Sequence, residues 1–105
     1  MAWAIKRLTS DNAEVIGLHD RGQIRAGMKA DVNVIDYDRL KVHAPKVLYD
    51  LPGGGRRLMQ ETEGYDATIV SGVIVSRDGA ATGALPGRLV RGPQGGPPQM
   101  AEAAE

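Results

Sequence analysis

The chain lacks cysteine and phenylalanine and has few aromatic residues of any kind. Its 105 residues contain no Cys, no Phe, one Trp and three Tyr. The absence of cysteine excludes disulfides, thiolate metal sites and a cysteine nucleophile. Because aromatic side chains are scarce, any hydrophobic core has to be built from Val, Ile, Leu, Met and Ala. A chain of this length forms one domain at most.

The chain also lacks an excess of charge of either sign. Its 13 basic and 13 acidic residues cancel, so no long-range field attracts nucleic acid or an anionic membrane. No apolar run approaches the ~18 residues of a membrane span, and the N-terminal residues contain no apolar stretch long enough for a signal peptide. We therefore expect no nucleic-acid partner, no membrane and a cytoplasmic location.

The strongest pattern in the sequence predicts a tight β-hairpin. Two short runs rich in β-branched residues, Ala67–Val70 and Val73–Ser76, are separated by Ser71-Gly72. A two-residue turn requires positive φ, which glycine supplies at no steric cost. A lone two-stranded ribbon is marginal in water, so the hairpin needs further strands. The best candidate in the first half of the chain is residues 31–36, where polar and apolar residues alternate.

Helices are expected only near the N-terminus. Residues 3–18 predict two short helices broken at Thr9-Ser10, with Ser10 or Asp11 as the N-cap of the second helix and Gly17 as the residue that ends it. The following part, residues 20–92, predicts turns and short strands.

Weaker signals complete the predicted fold. Three further segments are candidate strands: Gln23-Ile24, Leu58–Thr62 and Arg88–Val90. Residues 51–57 predict an irregular loop from their composition. Residues 93–105 have almost no apolar side chains to bury and predict a disordered tail. The expected fold over residues 1–92 is mainly β with short N-terminal helices.

The loop over residues 54–57 is a candidate anion-binding site. Gly54, Gly55, Arg56 and Arg57 combine flexible backbone N–H groups with two guanidiniums, which together are able to hold a carboxylate or a phosphate. The glycine and lysine spacing of a P-loop is absent. The alternative is a mobile loop whose arginines are solvated.

Histidines provide the one candidate metal site. His19 and His43, with Asp20, Asp36 or Asp50, contain the donors of a two-histidine, one-carboxylate centre. Such a site also needs convergent geometry and supporting hydrogen bonds, and no spacing in this sequence indicates either. Exposed loop histidines are the alternative, and we predict no metal ligand in this chain.

Candidate catalytic residues are equally sparse. Asp31 and Asp36 flank a predicted strand, and paired carboxylates can act as acid and base. Aspartates at strand ends more often bind the backbone of a turn. Ser71 and Ser76 have no histidine partner in register for a triad. We therefore predict no catalytic residue.

Six segments occur in one order with short spacings over residues 5–92. They are Leu8–Ala13, Ile16–Leu18, Asp20–Ile24, Gly27–Asp36, Leu51–Leu58 and Thr82–Arg88. Together they resemble the C-terminal end of metal-dependent amidohydrolases, in particular the D-aminoacylase-like group of N-acyl-D-amino-acid deacylases.

The resemblance implies both a fold and a missing part. In such enzymes this region follows the catalytic barrel, so residues 3–18 would be the last barrel helix. Residues 20–92 would form part of a small β-sandwich whose other half comes from the enzyme's N-terminus. The family's zinc ligands include a His-x-His pair, which this sequence does not contain. The resemblance thus implies zinc in the full-length enzymes and no cofactor in this chain.

The resulting expectation is a non-catalytic C-terminal β-sandwich fragment of an amidohydrolase that cleaves C–N amide bonds of N-acyl-D-amino acids. The alternatives are a stand-alone binding or oligomerisation module that kept the fold, and an enzyme in its own right. A sandwich without all its strands leaves open edges and an uncovered apolar face. We therefore expect a homo-oligomer, or a partnership with a separate chain that carries the barrel.

Overall fold

The computed structural model describes residues 1–97, and within them the predicted mainly-β fold with short N-terminal helices is confirmed. Helix α1 spans Ala2–Leu8 and helix α2 spans Ser10–Val15. The strands are β1 Val32–Ile35, β2 Lys41–Val42, β3 Lys46–Leu51, β4 Gly55–Met59, β5 Thr62–Glu63, β6 Tyr65–Val70, β7 Val73–Arg77 and β8 Ala80–Ala81. Neither helix of this part of the chain is long and apolar enough to cross a membrane.

The strands form three small sheets, and the chain divides into two compact units. One sheet has four strands in the order β1-β6-β7-β8, and the pairs β2-β5 and β3-β4 form two-stranded sheets. Within the described residues, the first unit comprises 1–32, 69–73 and 85–97, and the second comprises Asn33–Thr68 and Ile74–Ala84.

In the first unit, α2 ends where the sequence predicts. Gly17 has a φ of 75°, a conformation that favours glycine. Its N–H donates to the Glu14 carbonyl at 3.1 Å, and the Leu18 N–H donates to the Ala13 carbonyl at 2.8 Å. These two bonds define a Schellman motif, which satisfies carbonyls at the end of the helix.

Neither predicted N-cap of α2, Ser10 or Asp11, is the observed one. Ser10 is the first residue of the helix, and Thr9 occupies the N-cap without a side-chain capping bond. The Thr9 hydroxyl instead donates to the Ile5 carbonyl at 2.7 Å. Since that bond closes the last turn of α1, the Thr9 side chain belongs to the preceding helix.

The segment after α2 is held by the start of the predicted tail. Leu18 and Gln94 form a parallel bridge. The His19 N–H donates to the Gln94 carbonyl at 3.0 Å, and the Gln94 N–H donates to the Gly17 carbonyl at 2.9 Å. The remainder of the predicted disordered tail, residues 98–105, lies outside the described residues.

The central hairpin has the predicted turn. Ser71 and Gly72 lie between β6 and β7 with φ of 51° and 80°, and positive φ at both central residues is the signature of a type I′ turn. The turn is tied to the residues before β1, because the Gly72 N–H donates to the Ala30 carbonyl at 3.0 Å. The Ser71 N–H donates to Asp31 Oδ1 at 2.8 Å.

A second turn of the same kind follows β7. Asp78 and Gly79 have φ of 49° and 79°, and Arg77 pairs with Ala80 across the turn. The turn signal was visible in the sequence, whereas the two-residue strand β8 that it creates was not.

Three of the weaker predictions are wrong. Gln23-Ile24 and Arg88–Val90 do not form strands, and residues 51–57 contain a 3-10 turn, Pro52–Gly54, followed by the first residues of β4. Short β-branched stretches become strands only where another segment offers its backbone in register, because strand propensity depends on context.

Substitutions in β7 should distinguish its inner and outer residues. Val73 is 42% exposed, whereas Ile74 is half-buried. We expect Ile74→Ala to lower the free energy of unfolding by about 1 kcal/mol more than Val73→Ala, because truncation costs more where more surface is buried. Denaturant unfolding of the two variants measures the difference. Equal and small losses would remove β7 from the stabilising part of the fold.

Candidate functional site

In the second unit, residues 41–63 fold back on themselves as an antiparallel β-ribbon, hereafter the ribbon. β2 pairs with β5 in the register Lys41↔Glu63. β3 pairs with β4 from Lys46↔Met59 through Leu48↔Arg57, and an irregularity follows before the tip. Between the two sheets the His43 N–H donates to the Glu61 carbonyl at 3.0 Å. The candidate anion-binding loop therefore lies at the end of a long hairpin.

The tip of the ribbon is built by Pro52–Gly54. Pro52 begins the 3-10 turn, and Gly53 and Gly54 have φ of 70° and 73°. Glycine tolerates these values without strain. The chain then enters β4 at Gly55, which pairs with Leu51. The glycines thus reverse the chain direction.

The two arginines of the candidate loop lie on β4, and they differ in their partners. Arg57 donates from Nε to Asp50 Oδ1 at 2.8 Å and from Nη2 to Asp50 Oδ2 at 2.6 Å. This paired hydrogen bond lowers the pKa of Asp50 and raises the pKa of Arg57. Arg56 forms no ion pair within residues 1–97. Anion binding by Gly54, Gly55, Arg56 and Arg57 remains a prediction. The charge of Arg57 is already neutralised by the Asp50 carboxylate.

The candidate metal ligands lie in different places. His43 Nε2 is 2.5 Å from Glu63 Oε1 within the ribbon, whereas His19 belongs to the first unit. Asp20 accepts both bonds of the Arg21 guanidinium at 2.8 and 2.9 Å, which lower its pKa. Among the described residues, no three His, Cys, Asp or Glu side chains come together as metal ligands. This donor set does not fit the zinc of the resembled enzymes.

The candidate acid–base pair consists of two aspartates with separate partners. Asp36 accepts from Arg39 Nε at 2.6 Å, and Arg39 Nη2 also donates to Asp66 Oδ1 at 2.6 Å. The bond from Arg39 lowers the pKa of Asp36. Asp31 accepts the Ser71 N–H, and the Arg21 guanidinium lies 3.6 Å from its carboxylate. Both carboxylates hold local structure through these bonds.

The large apolar side chains of the chain are exposed to an unusual degree. Within residues 1–97, Ala13 is the one buried residue, at 8% exposure. Large apolar side chains such as Val15, Ile24 and Leu85 are 86%, 90% and 94% exposed.

Residues of the second unit supply much of this apolar surface, and sequence reasoning missed them. The ribbon carries seven exposed Val, Leu, Tyr and Met side chains: Val42, Val47, Leu48, Tyr49, Leu51, Leu58 and Met59. The sequence did contain a signal for this hairpin. Asp50 and Arg57, which carry opposite charges, flank a Pro-Gly-Gly segment of the kind that forms turns.

Comparison with known proteins gives one match. The amidohydrolase family matches residues 1–76. No curated protein and no solved structure matches the chain. Since the match runs from the start of the chain into β7 and covers more than half of the sequence, the chain belongs to the amidohydrolase family.

Proposed function

We propose that this chain is the non-catalytic C-terminal β-rich segment of a cytoplasmic amidohydrolase. The parent enzyme would hydrolyse C–N amide bonds of N-acyl-D-amino acids. Residues of a catalytic barrel outside this sequence would hold its zinc, because the described residues of this chain bring no metal-binding set together. The role of the segment is to pack against that barrel and stabilise it.

The exposure of large apolar side chains is the observation that carries this proposal. A domain that folds alone hides most of its large apolar side chains, and contiguous apolar patches on monomers are small. In this chain Trp3 is 71% exposed and Leu8 is 72% exposed. Both lie on α1, the helix that would be the last helix of the barrel. Their exposure is expected of a helix whose neighbours belong to another part of the enzyme.

The polar groups support a structural role. The aspartates with lowered pKa each owe that shift first to a bonded cation: Asp11, Asp20, Asp36 and Asp50. A carboxylate engaged in this way stays ionised and is a poor general acid near neutral pH.

An amide hydrolysis assay tests the absence of catalysis. Chelator-treated protein is incubated with N-acetyl-D-amino acids, with and without added zinc, and bound metal is measured by elemental analysis. We expect no turnover above the buffer rate and well below one zinc per chain. His43→Ala should change neither result. Near-stoichiometric zinc and a turnover that this substitution abolishes would refute the proposal.

A further inference from the structure

Strands β3 and β4 of the ribbon have no third strand beside them among residues 1–97. β3 and β4 form a sheet of their own within the described residues, and every residue of β3 is exposed. Isolated two-stranded ribbons are marginal in water, and unpaired strand edges attract other strands. A ribbon with this many exposed apolar side chains therefore needs an additional strand or a covering surface.

One face of the ribbon, hereafter the apolar face, is largely apolar, although Arg56 shares it as the residue two before Leu58 on β4. Val47 lies directly opposite Leu58, and the two-residue period of a strand places Tyr49 on the same face. These side chains are 52%, 69% and 70% exposed, respectively. The other face is mixed, because Leu48 pairs with Arg57 there and Lys46 pairs with Met59.

The two edges of the ribbon differ in their charges. β4 carries Arg56 and Arg57 side by side, so antiparallel pairing of β4 with another β4 brings guanidiniums close together. Positive charges on an edge strand are a common protection against such pairing. The β4 edge is therefore an unfavourable place for a second copy to add.

The β3 edge is complementary to itself. In an antiparallel pair of β3 strands centred on Leu48, Lys46 of one copy lies opposite Asp50 of the other, and this contact occurs twice. Val47 lies opposite Tyr49 on the apolar face in the same register. Opposite charges and apolar-aromatic pairs across strands are both stabilising.

We propose that two copies of this chain associate through their β3 edges about a two-fold axis at Leu48. The two ribbons then form one four-stranded sheet with a continuous apolar face, and sheets of three or more strands are stable where a lone ribbon is not. A two-fold interface uses the same patch on both copies. The zero net charge of the chain adds no repulsion.

This inference goes beyond the proposed function, since it requires neither a barrel nor a substrate. Its failure would leave the hydrolysis result unchanged.

A charge-swap experiment tests the register. The first variant combines Lys46→Glu with Glu61→Lys, and the second combines Asp50→Lys with Arg57→Glu. Each exchanges the two members of an ion pair within the ribbon, so the net charge and the pairing inside each chain are kept. At the β3 edge each variant reverses one of the two charges that a second copy meets, and the compensating change at Glu61 or Arg57 keeps the ion pair inside the chain.

Sedimentation equilibrium should show a wild-type dimer at micromolar concentration. Each variant alone should dimerise at least about tenfold more weakly, because both cross-strand contacts become repulsive. An equimolar mixture of the two variants should regain affinity within about threefold of wild type, since both contacts are again attractive. As a control, Lys6→Asp with Asp11→Lys, an exchanged pair in the helices, should dimerise like wild type.

Three results would overturn the proposal. They are a wild-type chain that stays monomeric or associates only with a separate barrel, swapped variants that dimerise as tightly as wild type, and a mixture that stays monomeric. If a swapped variant loses the wild-type circular dichroism spectrum, Tyr49→Lys replaces it, since Tyr49 forms no ion pair. Dimerisation of Tyr49→Lys with wild-type affinity would then count against the interface.

Discussion

Replacing Gly64 with alanine is expected to lower the free energy of unfolding by about 3 kcal/mol or more, a large loss for a single methyl group. Gly64 has a φ of +89°, and an added Cβ would lie 2.8 Å from both the Cα and the N of Leu40. These are backbone atoms, so no side-chain rotation relieves the clash. The Gly64 carbonyl also accepts the Asp36 N–H at 2.8 Å, and a shift that relieves the clash weakens this bond.

Gly53→Ala is the matched control for that substitution. Gly53 also has a positive φ, of +70°, but nothing lies within 4 Å of the added Cβ. Gly53→Ala should therefore lower the free energy of unfolding by about 1 kcal/mol, the cost of holding alanine at a positive φ. Denaturant unfolding of both variants separates the steric cost from the conformational cost. Equal losses would mean that residue 40 does not closely approach residue 64.

The parts of the fold that follow from local chemistry were predictable from the sequence. Ser71-Gly72 between two β-branched runs specifies its turn through the φ values it needs, and Gly17 specifies the end of α2 in the same way. β1 was predictable because Val32, Asn33 and Val34 alternate in polarity before Ile35. In each case the information lies within a few residues of the feature.

The ribbon was not predictable in this way. β3 has no polar-apolar alternation, since Val47, Leu48 and Tyr49 are consecutive, and its residues are exposed on both faces. Its existence depends on pairing with β4 across the Pro52–Gly54 turn, and the composition of that turn alone predicts a loop. The Asp50–Arg57 ion pair follows from that register. The sequence could therefore suggest that Arg57 binds an anion, but it could not show that Asp50 already binds this arginine.

The exposure of the apolar side chains in residues 1–97 could not be predicted from composition. Apolar content of 42% is ordinary for a globular protein, yet within the described residues these side chains lie mostly on the surface. Composition measures how much apolar surface a chain carries and does not say which chain covers it. The function proposed above assigns that cover to surfaces outside this sequence.

Truncation of the C-terminal residues is expected to have two different results, depending on where the chain is cut. Removal of every residue after Gly92 deletes Gln94 and both backbone bonds that it makes to Gly17 and His19. Two such bonds contribute about 1–3 kcal/mol, which corresponds to a fall in Tm of about 5 °C or more for a domain of this size. Composition alone predicts no effect, because the removed residues are almost entirely polar or small.

A cut after Pro97 should leave Tm unchanged within about 2 °C, because the Gln94 bridge remains in place. Gln94→Ala keeps both backbone bonds and should likewise have little effect, so it separates the backbone contribution from the side chain. Scanning calorimetry of the three variants checks the order. If the cut after Gly92 were as harmless as the cut after Pro97, the bridge from Leu18 to Gln94 would contribute nothing to stability. The segment after α2 would then be held by the Schellman motif and its own turns, without help from the end of the chain.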